Sequence, residues 1–590
     1  MALHAIAAPH HNRLILRGKM ALRIPEDSKR AIEFCRELID ECAATQEERA
    51  GIYTKATTYY YTGSGDSRAA IHNKTRNFLD RLAGYYYAPQ NVRFNLLWDS
   101  NEAADVLERG RALGQLLSAD YRSTDTDLRF SDAVTWSLVC GNYFLKHLAE
   151  PPGFRAFPVH PLNMGVLSES IVNLDEQECF LHITYPTVTR LRSELEATGN
   201  PRANAIINRI LEARSSERDQ EEPSSYFHSM VVGGMNPLGE VGSTPSAAGI
   251  VQVFPIPTPW RPQRRLAPTV RHCELWIRDR NMPGDYRTIQ MVYPDIIIEG
   301  VDRKRNLSGV PGHHPFVQIK ANETPGYFWG RSVIADVQML QDVINKRLRD
   351  IKVMWDRNAA APYSFAGFNS ITEEQYYKLI SEGGFISDPN PNAKASKLTE
   401  PPPPGYLEEL EFLWKMFDEA GGFSPIMTGQ GEPSVRAGVH AQTLVRTSSP
   451  ALIDPATRIE RQLADSGYLA VRIMANNDPR QYSTETGIQF YPQQFLDAYP
   501  NFQVEVDSHS ASPAFAEDSR QVAIALARAQ AVDASDLIEM LNPPNAQLLL
   551  AHLKQRQAAA ARQHQQEMAE AAATGQPPPG QASRRQPQRH

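Results

Sequence analysis

The sequence has little cysteine chemistry. Its five cysteines, Cys35, Cys42, Cys140, Cys179 and Cys273, are odd in number and widely spaced, and no CxxC occurs. That excludes a disulfide framework and a cysteine zinc site, and it leaves reduced, mostly buried thiols. HExxH and EF-hand patterns are missing. The adjacent pairs His10–His11 and His313–His314 would point to opposite faces of a strand. No metal is expected. The one Gly-Lys step, Gly18–Lys19, runs into Met20. A phosphate-binding P-loop needs a hydroxyl there for magnesium, so none exists and no cofactor is expected. Asp507, Ser508 and His509 are consecutive and cannot form a triad by themselves. With no acid cluster marked as catalytic, the chain carries no enzyme signature.

Long apolar runs are also absent. None reaches the ~18 residues a membrane span needs. His4, His10 and His11 interrupt the first twenty residues, which lack a signal-peptide core. The expected place of action is inside a cell. There is no basic excess either. The net charge of −7 gives no bulk attraction for DNA.

What is there is a globular composition, 42% apolar and 22% charged, over 590 residues, enough for two to four domains. Residues 26–48 read as one amphipathic helix with Ile32, Phe34, Cys35, Leu38 and Ile39 apolar. Two tyrosine triplets follow, Tyr59–Tyr61 and Tyr85–Tyr87, around a helical stretch with Lys74, Arg76 and Arg81. These can stack on bases or pack a core. "DAVTWSLVCGNYFLK" reads as helix, glycine stop and strand, "ECFLHITY" as a strand, and "TVTRLRSELEATG" as a helix. Residues 215–250 are rich in Ser, Gly and Pro and read as a loop. Residues 271–300 read as two or three strands. Two basic clusters, Arg261/Arg264/Arg265/Arg271 and Arg303/Lys304/Arg305, are exposed loops or contacts for phosphates or an acidic partner.

The character changes after Gly326. Residues 331–361 contain no Gly or Pro. Val333, Val337, Leu340, Ile344, Leu348, Ile351 and Trp355 recur at steps of four and three, one apolar stripe on a helix roughly 45 Å long. Lys346, Arg349 and Arg357 fall on the opposite side with Asp342 and Asp350, a mixed and solvated face. Pro362 ends the helix. An insertion to about 404 contains a short helix, and helix resumes at Tyr406. A glycine-rich loop, "TGQGEPSVRAGVHAQTL", follows at 428–444, then a long helix that Pro450 and Pro455 should kink or break. Another helical region begins near 513. The last helix, near 545–573, is rich in Ala and Gln, and 574–590 has the composition of a disordered basic tail.

The run "GYFWGRSVIADVQMLQDVINKRLRDI", the loop "MTGQGEPSVRAGVHAQTL" after a second helix, and "DAVTWSLVCGNYFLK" together resemble the portal proteins, the head–tail connectors of tailed bacteriophages. The likeness covers roughly 26–560. It implies an α+β, mainly helical portal fold with wing, long-helix stem, small α/β clip and helical crown, assembled as a ring, usually of twelve subunits. By this resemblance 1–330 is the wing, 331–361 and 405–424 are the stem helices, and 362–404 is the clip. Residues 425–438 become the channel loop, 439–512 the kinked helix and rest of the wing, and 513–573 the crown with a possible barrel helix. Gly429, Gln430, Gly431, Glu432, Ser434, Arg436 and His440 would face the DNA channel. Val337, Leu340, Ile344, Leu348, Ile351 and Trp355 would pack the stem, and Lys346, Arg349 and Arg357 would form its polar face.

The resemblance further implies a virion protein at the capsid vertex, assembled in the host cytoplasm. Its partners would be double-stranded DNA in the channel, terminase, head-completion or adaptor and tail proteins, the major capsid protein and scaffold. Glycines suit a loop that must flex, and a negative ring weakens DNA adhesion. The alternatives are a DNA-processing enzyme of nuclease or terminase type, whose acid cluster or phosphate loop is missing, and a capsid assembly or scaffold protein without a channel.

Overall fold

The computed structural model describes residues 24–506 except 26–27, 65–71, 90–91, 99–102, 151–152, 198, 218–269, 279–285, 301–307, 309, 311, 360–362, 369–371, 383–389, 399–404, 421–449 and 485–486; beyond 506 it describes 523–528, 537–538, 553 and 556. The chain divides into two compact units, Met1–Asp507 and Ser508–His590. In the second, the described residues include a helical stretch over 523–528 with Ala523 buried.

The first unit opens with helices α1 (Ser28–Ala43), α2 (Gln46–Thr62) and α3 (Lys74–Tyr86). Strand β1 (Phe94–Leu97), helices α4 (Ala104–Ser123) and α5 (Thr126–Cys140), and strands β2 (Tyr143–Glu150), β3 (Gly153–Val159), β4 (Met164–Val166) and β5 (Cys179–Thr184) follow. Next come α6 (Val188–Ala197), α7 (Ala203–Glu217), β6 (His272–Arg278), β7 (Tyr286–Val292), β8 (Ile296–Glu299) and β9 (Phe316–Ile319). The remainder is α8 (Ile334–Ala359), β10 (Tyr363–Ala366), α9 (Glu373–Glu382), β11 (Lys394–Lys397), α10 (Tyr406–Ala420), α11 (Pro450–Asn477), β12 (Tyr482–Ser483), β13 (Gln489–Phe490), α12 (Pro492–Ala498) and β14 (Gln503–Val506). The result is a mixed helix and strand architecture.

Residues 26–48 are not one helix. α1 stops at Ala43 and α2 starts at Gln46, because the next polar side chains are buried and fixed elsewhere. Gln46 donates to the Leu162 carbonyl at 3.0 Å, and Arg49 donates to the Pro161 and Met164 carbonyls at 3.0 and 3.2 Å. Satisfying those donors fixes the direction of α2, since an unpaired buried guanidinium is costly.

Antiparallel strands in the order β4-β5-β6-β7-β8 form a five-stranded sheet, and β3-β2-β9 form a three-stranded one. Side chains alternate between the faces of a strand. Cys179, Leu181 and Ile183 on β5 therefore pack with Cys35, Leu38, Ile39 and Cys42 of α1, while Phe180 turns the other way, into a cluster with Phe144 and Phe316 of the smaller sheet. All five cysteines are free and buried.

An ion pair crosses between the two sheets. Lys146 on β2 places its ammonium 2.6 Å from Glu274 on β6, and His182 Nδ1 lies 3.0 Å from the same carboxylate oxygen. His182 and Glu274 are cross-strand neighbours. Burial pushes the Glu274 carboxyl up, but the Lys146 ammonium and the His182 hydrogen bond outweigh it and hold the pKa well below the usual carboxylate range. Burial lowers the His182 pKa, and the Lys146 charge lowers it further. Such a pair adds little net stability, yet removing one member strands the other.

A larger core joins α2, α3, α5, α8, α10 and α11 through residues such as Leu79, Phe130, Ile344, Phe417 and Leu463. The tyrosine triplets belong largely to this framework: Tyr59, Tyr86 and Tyr87 are buried, and Tyr60 donates to Asp80 at 2.8 Å. α11 begins at Pro450, where a missing N–H costs nothing, and continues past Pro455 without ending there.

Candidate functional site: the long helix pair and its insertion

The start of α8 is fixed by a crossing of two glycines. Helix α5 ends at Gly141, whose φ of 88° lies in the region other residues avoid. A Cβ at Gly141 would sit 2.1 Å from the Gly330 carbonyl oxygen, and one at Gly330 would sit 2.3 Å from that of Gly141. Only two glycines allow this approach. Asn142 clamps it by accepting from Gly330 N at 2.9 Å and donating to Phe328 O at 3.2 Å. Val333 N then donates to Leu138 O at 3.0 Å, so α8 leaves from the end of α5 at a set angle.

The first turns of α8 are bound to the body through amides. Gln341, fully buried, accepts from Thr75 N and Oγ1 at 3.2 and 3.1 Å and donates to His72 O at 2.7 Å. Asn345 donates to Gly63 O at 2.7 Å, and Tyr59 donates to Asp342 at 2.5 Å. On the neighbouring side α10 packs back along α8. Arg347 reaches Glu409 at 2.8 Å and lies over the Tyr406 ring, which raises the guanidinium pKa through the Glu409 hydrogen bond. Lys74 joins α3 to α10, donating to Asp418 and the Trp414 carbonyl at 3.0 and 2.9 Å.

Burial fades along the pair. Val337 and Ile344 are fully buried, Leu340 and Leu348 half-buried, and Ile351 buried. Trp355 lies on the same stripe but is 64% exposed. Beyond Ile351, no described side chain of α8, the insertion, or α10 up to Glu409 is buried. The insertion itself is the hairpin β10–β11, Tyr363 opposite Lys397 and Ala366 opposite Lys394, with α9 between its strands in sequence. Among the described residues, the far half of the pair therefore has no body of its own chain to pack on.

That half is nevertheless apolar. Val353, Trp355 and Leu407 are exposed there. Nearer the body Met339, Val343, Phe412 and Met416 are also exposed, on faces turned from the shared stripe. Sequence periodicity missed these four because they lie off the main stripe, and it missed Arg347, which binds the return helix. Lys346, Arg349 and Arg357 are exposed as well.

The glycine-loop residues Gly429, Gln430, Gly431, Glu432, Ser434, Arg436 and His440 lie outside the described residues, as do Arg261, Arg264, Arg265, Arg303, Lys304, Arg305 and the 574–590 tail. Arg271 is described and stacks over the Tyr293 ring at 4.5 Å. Lys74 and Arg76 are paired with Asp418 and Asp80. Among the described residues, no cluster of His, Cys, Asp or Glu is placed to hold a metal, and no helix is long and apolar enough to cross a membrane.

No family model matches the chain, and no curated protein matches it. Partial likeness to solved structures is seen, among others, in two particle chains. One is a chain in the neck of an empty GTA particle computed with C6 symmetry, at 13% identity over 83% of this chain and 94% of that one, with a TM-score of 0.38. The other is a chain in the virion of a native gene transfer agent particle, at 13% identity over 90% of this chain and 98% of that one, with a TM-score of 0.36. Likenesses this shallow carry no argument about this chain.

Proposed function

We propose that the chain is one subunit of a portal-type ring in a phage-like particle, a structural protein that acts without catalysis. In this reading double-stranded DNA enters and leaves through the axial channel. The observation that carries the reading is the half-naked helix pair. A helix pair that exposes Val353, Trp355 and Leu407 on its far half and Met339, Val343 and Phe412 nearer the body leaves apolar surface in water, and exposed apolar surface of that kind marks an interaction surface. Copies arranged side by side would cover it. The resemblance of the element order to portal proteins gives that arrangement its function.

The remaining assignments follow the same reading. The insertion 362–404 docks terminase and later the head-completion or tail proteins, and the loop 425–438 lines the channel, with Arg436 and His440 touching phosphates transiently. The wing meets capsid protein and scaffold, and the ring sits at the capsid vertex of the virion. Deleting 429–437 should leave ring assembly intact while the yield of DNA-filled particles collapses. An unchanged yield of filled particles would remove the channel-loop role.

A further inference from the structure

The helices α3, α8 and α10 form a three-helix layer whose two faces differ. Gln341 points from α8 toward α3, where it meets Thr75. Arg347 points toward α10. Met339 lies two residues before Gln341 and so is rotated about 200° from it around the helix. It therefore stands on the side of α8 away from α3 and about 80° round the helix from Arg347, and it is 76% exposed. On the other face, α3 and α10 meet edge to face through Phe78 and Phe417, with ring centroids 5.5 Å apart. Beside that contact is a cavity of about 170 Å³ walled by Phe78 and Trp414 and rimmed by Lys74, Asn77, Arg81 and Asp418. His72, whose carbonyl accepts from Gln341, also lines it, but no α8 residue does, and Asn77 and Arg81 lie about 200° and about 240° around α3 from Thr75, so the cavity opens on the side away from α8. Thr75, one turn from Phe78, contacts Gln341, which places knob and cavity at the same level of the layer.

We infer that Met339 of one copy seats in the α3–α10 cavity of the next. This rests on the ring reading above and names the contact that joins neighbouring copies. A methionine fits irregular apolar space and its sulfur favours aromatic walls, here Phe78 and Trp414. Charge agrees. Asp342, at i+3 from Met339, is a carboxylate that accepts from the Tyr59 hydroxyl, whereas Asp336 at i−3 is already paired with Arg331. The cavity rim carries Lys74 and Arg81 against a single carboxylate, Asp418, which Lys74 already holds, so the match is Asp342 toward Arg81. Arg81 has no ion-pair partner among the described residues. Because knob and hole lie on opposite faces, two copies cannot satisfy each other reciprocally. The contact is head-to-tail, the kind that closes into a ring when the rotation allows.

The test mixes full-length chains carrying only Met339→Cys with chains carrying only Asn77→Cys, both exposed positions, and adds a short bismaleimide. The native cysteines are buried and set a low background. Cross-links between 339 and 77 should form in the mixture and not in either single variant, and a chain with both substitutions should give a ladder of covalent oligomers. If closed rings form without that cross-link, or if only 339–339 links form, this contact is wrong while the ring reading stands. If the uncross-linked wild-type chain stays monomeric under the same conditions, both fall.

Discussion

Replacing Trp355 by aspartate separates assembly from folding. Trp355 continues the buried stripe of α8 but is 64% exposed, so it contributes little to its own chain. A tryptophan side chain offers roughly 200 Å² of contact surface. The exposed share, on the order of 130 Å², is available to a neighbour. At ~25 cal/mol per Å² its burial contributes about 3 kcal/mol, which is roughly a hundredfold in each association constant. In a ring every subunit makes two such contacts, so the loss compounds. Sedimentation velocity across a concentration series should show Trp355→Asp shifted to much higher concentration for assembly, with its unfolding midpoint close to wild type. Leu348→Asp is a poorer probe, because Leu348 is half-buried against its own chain and would disturb the fold as well. If Trp355→Asp assembles at the same concentrations as wild type, the exposed end of the helix pair is not an interface.

Gly330→Ala should lower stability by at least the ~1–3 kcal/mol typical of overpacking. Its new Cβ meets backbone oxygens of Gly141 and Asn322 at 2.3 and 2.7 Å; an unchanged denaturation midpoint would refute the glycine crossing. Acid should destabilise the fold in two windows. Burial lowers the pKa of His147 to about 4 and also depresses His160, His182 and His272. These folded imidazoles refuse protons that the unfolded chain takes up below about pH 6.5, so stability falls from there toward pH 4, by up to ~1.4 kcal/mol per pH unit for each group. Glu274 acts at lower pH: its depressed carboxyl keeps its full contribution above its unfolded value near 4.5 and loses it as pH falls further. A denaturation midpoint flat between pH 6.5 and 4.5 would contradict neutral buried imidazoles.

Local pattern made much of this fold legible. The stripe from Val333 to Ile351 is strictly helical in period, and α8 occupies Ile334–Ala359. The glycine stop before β2 falls at Gly141, and 271–300 holds the three strands β6, β7 and β8. What stayed hidden depends on partners far away in sequence. Gln341 and Asn345 are buried through hydrogen bonds to Gly63, His72 and Thr75, far earlier in the chain. Lys146 and Glu274 lie 128 residues apart, and nothing in either strand announces a buried pair. The short hairpin β10–β11, rich in Lys and Ser, lacks the β-branched alternation that marks a strand. The break between α1 and α2 depends on carbonyls of residues 161–164, which no window of sequence contains. Of the candidate site, the helix pair was legible, whereas its off-stripe apolar residues were not.

In the portal reading, copies of this chain close around a channel. Electron microscopy of the purified full-length protein should then show closed rings of a fixed number of copies with a central hole wide enough for duplex DNA. A monomer, a two-fold dimer or an open filament would contradict it.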